Sequence, residues 1–180
     1  GSALASLYQA CGYIVHKEYY VNDAGRQMDI LAVSVYLRWL QEEGCTLVFP
    51  STVYQGVYIS EIARDFNRSS PWLESSQQSG LGGLITDVDT DAAMDELIAC
   101  VKAHLGTSSY ELVRSYATKA ILEGIKDDLR VFEVTFDSWF SELSLHAEGI
   151  IEASLNHLDS QEYLYVSDGA TWFKSTLSGD

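Results

Sequence analysis

The sequence predicts an α/β fold interrupted by a mainly helical insertion, and three observations carry that prediction. The first 20 residues read as helix, glycine, strand, which is the joint of an α/β layer. A long middle stretch carries two successive apolar patterns of helical period. After it come a short strand, a helix and a hairpin signal. The expected organisation is a first α/β piece at 1–43, a helical insertion at 44–133 with a loop at 67–83, and a second α/β piece at 134–180 that contains the hairpin. No internal repeat is present in the sequence.

Taken in order, Leu4, Leu7, Tyr8 and Cys11 recur at helical spacing, and Gly12 stands where a helix ends in the left-handed conformation. Tyr13 to Tyr20 then reads as a strand. From Ala24 to about Glu43, Met28, Leu31 and Val35 form one apolar stripe, while Ile30, Val33, Leu37 and Leu40 form another. A helix apolar over so much of its circumference is a buried one. Asn67 to Gly83 is rich in turn formers and predicts a loop. A helix starting near Asp89 carries Leu97, Ile98, Val101 and Leu105 on one face, with acids in its first turn suiting the helix dipole. A second helix opens at Ser108-Ser109-Tyr110-Glu111, a capping-box spacing, and runs through Leu112, Tyr116, Ile121, Ile125 and Leu129 toward Phe132. Together the two resemble a helical hairpin. Val134-Thr135-Phe136 predicts a short strand, and Glu148 to Leu158 a helix with Ile151, Leu155 and Leu158 facing one way. Tyr163-Leu164-Tyr165-Val166 and Ala170-Thr171-Trp172-Phe173 flank Ser167-Asp168-Gly169, a strong hairpin signal.

The charge balance narrows the function. Against 26 Asp and Glu stand 11 Lys and Arg, a net charge of −15, the wrong sign for gripping a phosphate backbone or an anionic membrane surface. Hydrophobic residues at 47% rule out a disordered acidic tail. Cys11, Cys45 and Cys100 form neither a disulfide framework nor a metal-ligand pattern, which predicts a reducing, cytoplasmic setting. No run approaches the roughly 18 apolar residues of a membrane span. The chain opens directly into a helical pattern and stops soon after a strand-like run, as expected of a piece of a larger protein.

Several signals fail on inspection. Asp87-Val88-Asp89-Thr90-Asp91 begins like a calcium loop, but Ala92 stands where the turn needs glycine and Ile98 where the bidentate glutamate belongs. Gly80-Leu81-Gly82-Gly83 lacks the lysine and hydroxyl ending of a phosphate loop. The four histidines do not share ligand spacing with cysteines, so no metal site is expected.

Two segments hold more chemistry. In Tyr19-Tyr20-Val21-Asn22-Asp23-Ala24-Gly25-Arg26-Gln27-Met28, a strand ends in polar residues and a buried helix begins at a glycine. Ligands in open α/β sheets gather at such strand ends and helix starts, although an Asn or Asp cap with a tight turn explains the same residues. In Phe136-Asp137-Ser138-Trp139-Phe140-Ser141-Glu142-Leu143, two carboxylates sit among three aromatic rings just after a strand. A guanidinium is the strongest planar partner for such a carboxylate, and a solvated glutamate at a helix start is the plain alternative.

These segments, in this order, resemble arginyl-tRNA synthetases of bacterial type, a class I aminoacyl-tRNA synthetase family, and the resemblance covers nearly the whole chain. Glu18-Tyr19-Tyr20-Val21-Asn22-Asp23-Ala24-Gly25-Arg26-Gln27 is similar to the family's Tyr-Tyr-(Ile/Val)-Asn-Asp-Ala-Gly-x-Gln motif. Phe136-Asp137-Ser138-Trp139-Phe140-Ser141-Glu142 looks like its Phe-Asp-x-Trp-(Phe/Tyr)-Ser-Glu motif. Asp168-Gly169-Ala170-Thr171-Trp172-Phe173-Lys174-Ser175-Thr176 is the companion of the latter, and Tyr54-Gln55-Gly56-Val57-Tyr58-Ile59 is a looser match. The opening Gly1-Ser2-Ala3-Leu4-Ala5 is similar to the helix that follows the family's His-Ile-Gly-His-type signature.

The resemblance implies a partial Rossmann-like nucleotide-binding fold from the interior of the catalytic domain. It implies a full-length parent that activates L-arginine with ATP and magnesium and attaches it to its tRNA in the cytoplasm. Glu142 is then the carboxylate that binds the guanidinium of the substrate, and Asn22, Asp23, Gly25 and Gln27 line or shape the active-site side of the fold. The stretch from Val131 to Phe173 holds eight acids and no Lys or Arg, a field suited to a cationic amino acid and unsuited to a tRNA backbone.

The departures from the family pattern matter too. The chain contains no His-x-Gly-His motif, no Lys-Met-Ser-Lys-Ser-like loop and no helical anticodon-binding region, and Leu143 stands where the family often has Ser or Thr. Without the donors that meet the charge of the triphosphate, the piece alone is expected to be inactive, to bind no cofactor of its own and to carry no catalytic residue. It is also expected to self-associate through exposed sheet edges. The rival reading, from another class, is a free-standing acidic interaction domain that binds a basic protein partner.

Overall fold

The computed structural model describes residues 1–69 and 90–179, a mixture of helices and short strands. The chain divides into two compact units. One comprises Gly1–Lys17 with Asp23–Asp137, and the other Glu18–Asn22 with Ser138–Asp180.

Among the described residues the first unit is helical. α1 (Ser2–Ala10) matches the predicted N-terminal helix, and Gly12 beyond it takes a φ of 85°. α1 buries no residue, and Leu4, Leu7 and Tyr8 are exposed. Tyr13 to Lys17 form no strand, and β1 begins only at Glu18, which corrects the prediction for that segment. Ile14 there is fully exposed, and among the described residues no strand pairs with this segment.

α2 (Arg26–Glu42) is the buried helix that its two apolar stripes predict. It contains no Gly or Pro, and every residue from Ile30 to Leu40 except Arg38 is buried. Gly44, at φ 91°, ends it, with its N–H donating to the carbonyl of Gln41. α2 packs against α3 (Val57–Ser69), which supplies Ile59, Ile62, Ala63 and Phe66. It also packs against α4 (Asp91–Val131), which supplies residues from Met94 to Ala117. Each buried Leu or Ile side chain of this core contributes roughly 1.5–3 kcal/mol. Ser34 is a fully buried polar residue, and its hydroxyl is satisfied by donating to the Ile30 carbonyl (2.6 Å) and accepting from the Tyr54 N–H (3.0 Å).

Two boundaries move. The turn formers at Asn67–Ser69 still close α3, while 70–83 of the predicted loop lie outside the described residues. α4 begins behind Thr90, whose hydroxyl accepts from the Ala93 N–H at 3.2 Å. The two predicted helices of this region are divided at Gly106 (φ 73°, ψ 162°), just ahead of the predicted capping box. Segment 44–133 is thus helical over α3 and α4, and both pack on α2.

The second unit holds all the strands among the described residues. β1 (Glu18–Val21) pairs in parallel with β2 (Ser138–Ser141), with Glu18 opposite Ser138 and Val21 opposite Ser141. The strand predicted at Val134–Phe136 is therefore displaced by a few residues toward the C-terminus. Its β-branched and aromatic residues carry strand propensity, but the partner edge lies opposite Ser138–Ser141. α5 (Glu142–Ala147) follows β2 directly. α6 (Ile150–Ser160) starts behind Gly149 in the left-handed region, slightly later than the predicted Glu148. β3 (Leu164–Ser167) and β4 (Ala170–Phe173) form the predicted antiparallel hairpin, with Asp168 (φ 53°) and Gly169 (φ 77°) as the two central turn residues.

Candidate functional site

In the strand-bearing unit, two segments separated by more than a hundred residues lie side by side. Because Val21 is opposite Ser141, the first residue beyond each strand is Asn22 on one and Glu142 on the other. Both stand at the carboxyl end of the same parallel pair, where open α/β sheets collect their ligands. Glu142 is half-buried and is the first residue of α5, with Ser141 as N-cap, so its carboxylate sits in the turn where helix amides favour negative charge. The hydroxyl of Ser144 donates to the Ser141 carbonyl at 2.6 Å and closes that turn. Asn22 is exposed.

The aromatic residues of the two segments pair across the strands. Tyr19 stacks on Trp139, with ring centroids 4.5 Å apart and planes at 25°. Tyr20 and Phe140, one position further along, lie 6.1 Å apart. Successive side chains of a strand point to opposite faces, so each face of the ribbon carries one ring pair. Such pairs contribute about 0.5–1.5 kcal/mol beyond the area they cover, and they fix the register that aligns Asn22 with Glu142. At the opposite end, Ser138 donates to the Glu18 carboxylate at 3.1 Å. A carboxylate at a strand end framed by stacked rings has the chemistry to accept paired N–H donors from a planar cation.

Asp23, Gly25 and Gln27 belong to the helical unit and hold the start of α2. The Asp23 carbonyl accepts from Nη2 of Arg114 at 3.1 Å. Gly25 is the N-cap of α2 at φ 90° and ψ −174°, a conformation that L side chains rarely adopt, and its carbonyl accepts the first helical bond, from the Met28 N–H. The Gln27 side-chain carbonyl accepts from the Tyr54 hydroxyl at 3.0 Å, which ties the Tyr54–Ile59 segment to α2. The same Tyr54 binds Ser34 through its backbone, so that segment is anchored at two points.

Sequence reasoning did not single out Asp29. Its carboxylate accepts from the Tyr110 hydroxyl (2.8 Å) and from Nζ of Lys102 (3.0 Å), with Nε of Arg114 at 3.7 Å. Burial, and next the hydrogen bond to Asp29, hold the Tyr110 hydroxyl well above the usual tyrosine pKa. The signal was present: apart from Arg38, Asp29 is the sole charged residue between Met28 and Leu40 in a helix otherwise apolar on most sides.

Asp87, Val88 and Asp89 of the calcium-like run lie outside the described residues, as does Gly80–Gly83. Asp91 starts α4 and pairs with Arg26 at 3.1 Å, while Asp95 takes the Arg26 Nε at 2.6 Å. Among the described residues, no group of three or more His, Cys, Asp or Glu side chains could hold a metal ion, and no helix is long and apolar enough to cross a membrane.

Comparison with known proteins bears out the resemblance read from the motifs. No family model matches the chain. It is 42% identical over 185 residues to the arginine–tRNA ligase of Thioalkalivibrio sulfidiphilus, covering all of this chain and 32% of that protein. It is 43% identical over 182 residues to the ligase of Halorhodospira halophila, of which it covers 31%. Against the ligase of Legionella pneumophila strain Corby, the identity is 42% over 190 residues. The chain thus spans about a third of the length of the curated relatives it matches. It also shares the fold of one third of a crystal structure from Campylobacter jejuni, provisionally assigned as an arginyl-tRNA synthetase, with a TM-score of 0.68 and 23% identity.

Proposed function

We propose that this chain, related over its whole length to arginyl-tRNA synthetases, is a piece of the catalytic domain of such an enzyme and contributes part of its arginine pocket. On this reading, 1–43 and 134–180 are portions of a Rossmann-like nucleotide-binding fold, and 44–133 is a helical insertion between them. The full-length enzyme activates L-arginine with ATP and magnesium and attaches it to tRNA in the cytoplasm. Glu142 accepts paired hydrogen bonds from the substrate guanidinium, and Asn22 lines the same strand end. Asp23, Gly25 and Gln27 shape the turn that leads into α2.

The observation that supports this most is the parallel register that sets Asn22 and Glu142 at one end of two paired strands. The stretch from Val131 to Phe173, which lacks Lys and Arg, adds a field favourable to a cation. ATP supplies the activating phosphoryl chemistry when bound. The sequence motifs that meet its triphosphate are not in this chain, so the role derived for these residues is recognition and positioning, and the chain alone is inactive.

The test is ATP–pyrophosphate exchange, with tRNA present, by the full-length enzyme carrying Glu142→Gln. The amide keeps one acceptor but loses the charge and the bidentate geometry, so kcat/KM for arginine falls roughly 10- to 100-fold while the KM for ATP stays within about twofold. Unchanged use of arginine removes Glu142 from the pocket.

A further inference from the structure

The arrangement around α2 assigns a role to a residue that neither motif contains. We propose that Arg114 is a positioning residue: from α4 its guanidinium grips the backbone turn that carries Asp23 and Gly25 into α2, and Asp29, itself held by Tyr110, keeps the guanidinium in place. For its catalytic consequence this inference rests on the reading of the chain as part of an arginine–tRNA ligase.

Arg114 lies 91 residues from Asp23 in sequence and donates from Nη2 to the Asp23 carbonyl at 3.1 Å. Its side chain is only 13% exposed, so the charge is largely withdrawn from water and depends on its acceptors. Asp29, one helical turn past Gly25, faces the Nε edge at 3.7 Å. Both carboxylate oxygens of Asp29 are engaged, Oδ1 by the buried Tyr110 hydroxyl and Oδ2 by Lys102. The carboxylate therefore has little freedom to turn away, and it orients the guanidinium as a second partner would. The planar fork matters because one guanidinium serves the Asp23 carbonyl, the Asp29 carboxylate at Nε and the Glu111 carboxylate at Nη1 (3.6 Å), whereas a lysine ammonium is a single point charge. Gly25, in the left-handed region, makes the turn easy to deform, and a link from a buried helix restricts it. Loss of that restraint displaces the strand-to-helix turn that includes Asp23, and a small displacement of positioning groups costs a large factor in rate.

The experiment uses the full-length protein with Arg114→Met, Arg114→Lys and Tyr110→Phe. Hydrogen exchange of the peptide covering residues 23–28 is compared with that covering α3, alongside arginine-dependent ATP–pyrophosphate exchange with tRNA present. In Arg114→Met, exchange over 23–28 rises by about tenfold or more while α3 is unchanged, and kcat falls about 10- to 100-fold. Arg114→Lys recovers part of both losses, and Tyr110→Phe shows a smaller version of each. Unchanged exchange over 23–28, an equal rise across α3, or a local rise with unaltered kcat overturns the positioning role. If the wild-type protein charges no tRNA with arginine, the family reading fails, while a local rise over 23–28 still establishes that Arg114 holds the turn.

Discussion

The helical unit and the strand-bearing unit are held together by different physics. Among the described residues, every buried hydrophobic side chain but Val21 belongs to the helical unit, where α2 is enclosed by α3 and α4. The strand-bearing unit has ladder hydrogen bonds and ring stacks instead, and it leaves Val166, Trp172 and Phe173 exposed. A unit with its own core specifies its conformation through packing, to which each methylene contributes. A unit without one relies on backbone pairing and turn chemistry, and its side chains are less committed to packing. Glu142 and Asn22, proposed above for guanidinium recognition, lie in the second kind of unit.

The largest expected effect that tests this contrast is in α2. Leu37 has no solvent exposure, so Leu37→Ala removes buried methylenes, leaves a cavity and costs about 2–5 kcal/mol. Leu155 in α6 is 41% exposed, and Leu155→Ala costs less than about 1 kcal/mol. Urea unfolding followed by circular dichroism measures both, and equal costs would show that the two units do not differ in this way.

The next effect concerns polar burial in the helical unit. Tyr110→Phe deletes a hydrogen bond to a carboxylate and costs about 1.5–3 kcal/mol at neutral pH. The sign of the pH dependence follows from the direction of the shift. The hydroxyl's pKa in the folded protein is raised above its ordinary value of 10.0, so its contribution is complete below that pH. It is lost as pH rises toward the folded value. Burial raises Tyr36 in the same direction, so wild type loses stability above pH 10 from both groups, and Tyr110→Phe loses less over the same range. Parallel stability curves for wild type and Tyr110→Phe between pH 8 and 11 would contradict the shift.

What the sequence made legible follows the same division. α2 could be read because two apolar stripes around one helix leave burial as the sole outcome, and the β3–β4 hairpin because Asp168-Gly169 names its turn type. The strand ends could not be placed. Tyr13–Lys17 and Val134–Phe136 have strand composition, yet strand length is set by the partner, and β1 and β2 share only four residues. Asn22 and Glu142 were legible one at a time, each within its own motif. Their position at a common strand end depends on a register between segments far apart, which no local pattern encodes. The Asp29–Tyr110 bond, spanning 81 residues, was hidden for the same reason.

The smallest effect is the sharpest test of whether the two units unfold separately. Gly169 sits at φ 77° with nothing within 4 Å of an added Cβ, so Gly169→Ala adds no clash and imposes only the backbone cost of a left-handed alanine, about 1 kcal/mol. The hairpin has no buried side chain among its described residues to offset that cost, so it opens locally before anything else responds. Amide exchange across β3 and β4 is therefore expected to rise about fivefold, with α2 unchanged. An equal rise in α2 would mean that the helical core and the strand ribbon open together, and the contrast between them would then describe packing without describing stability.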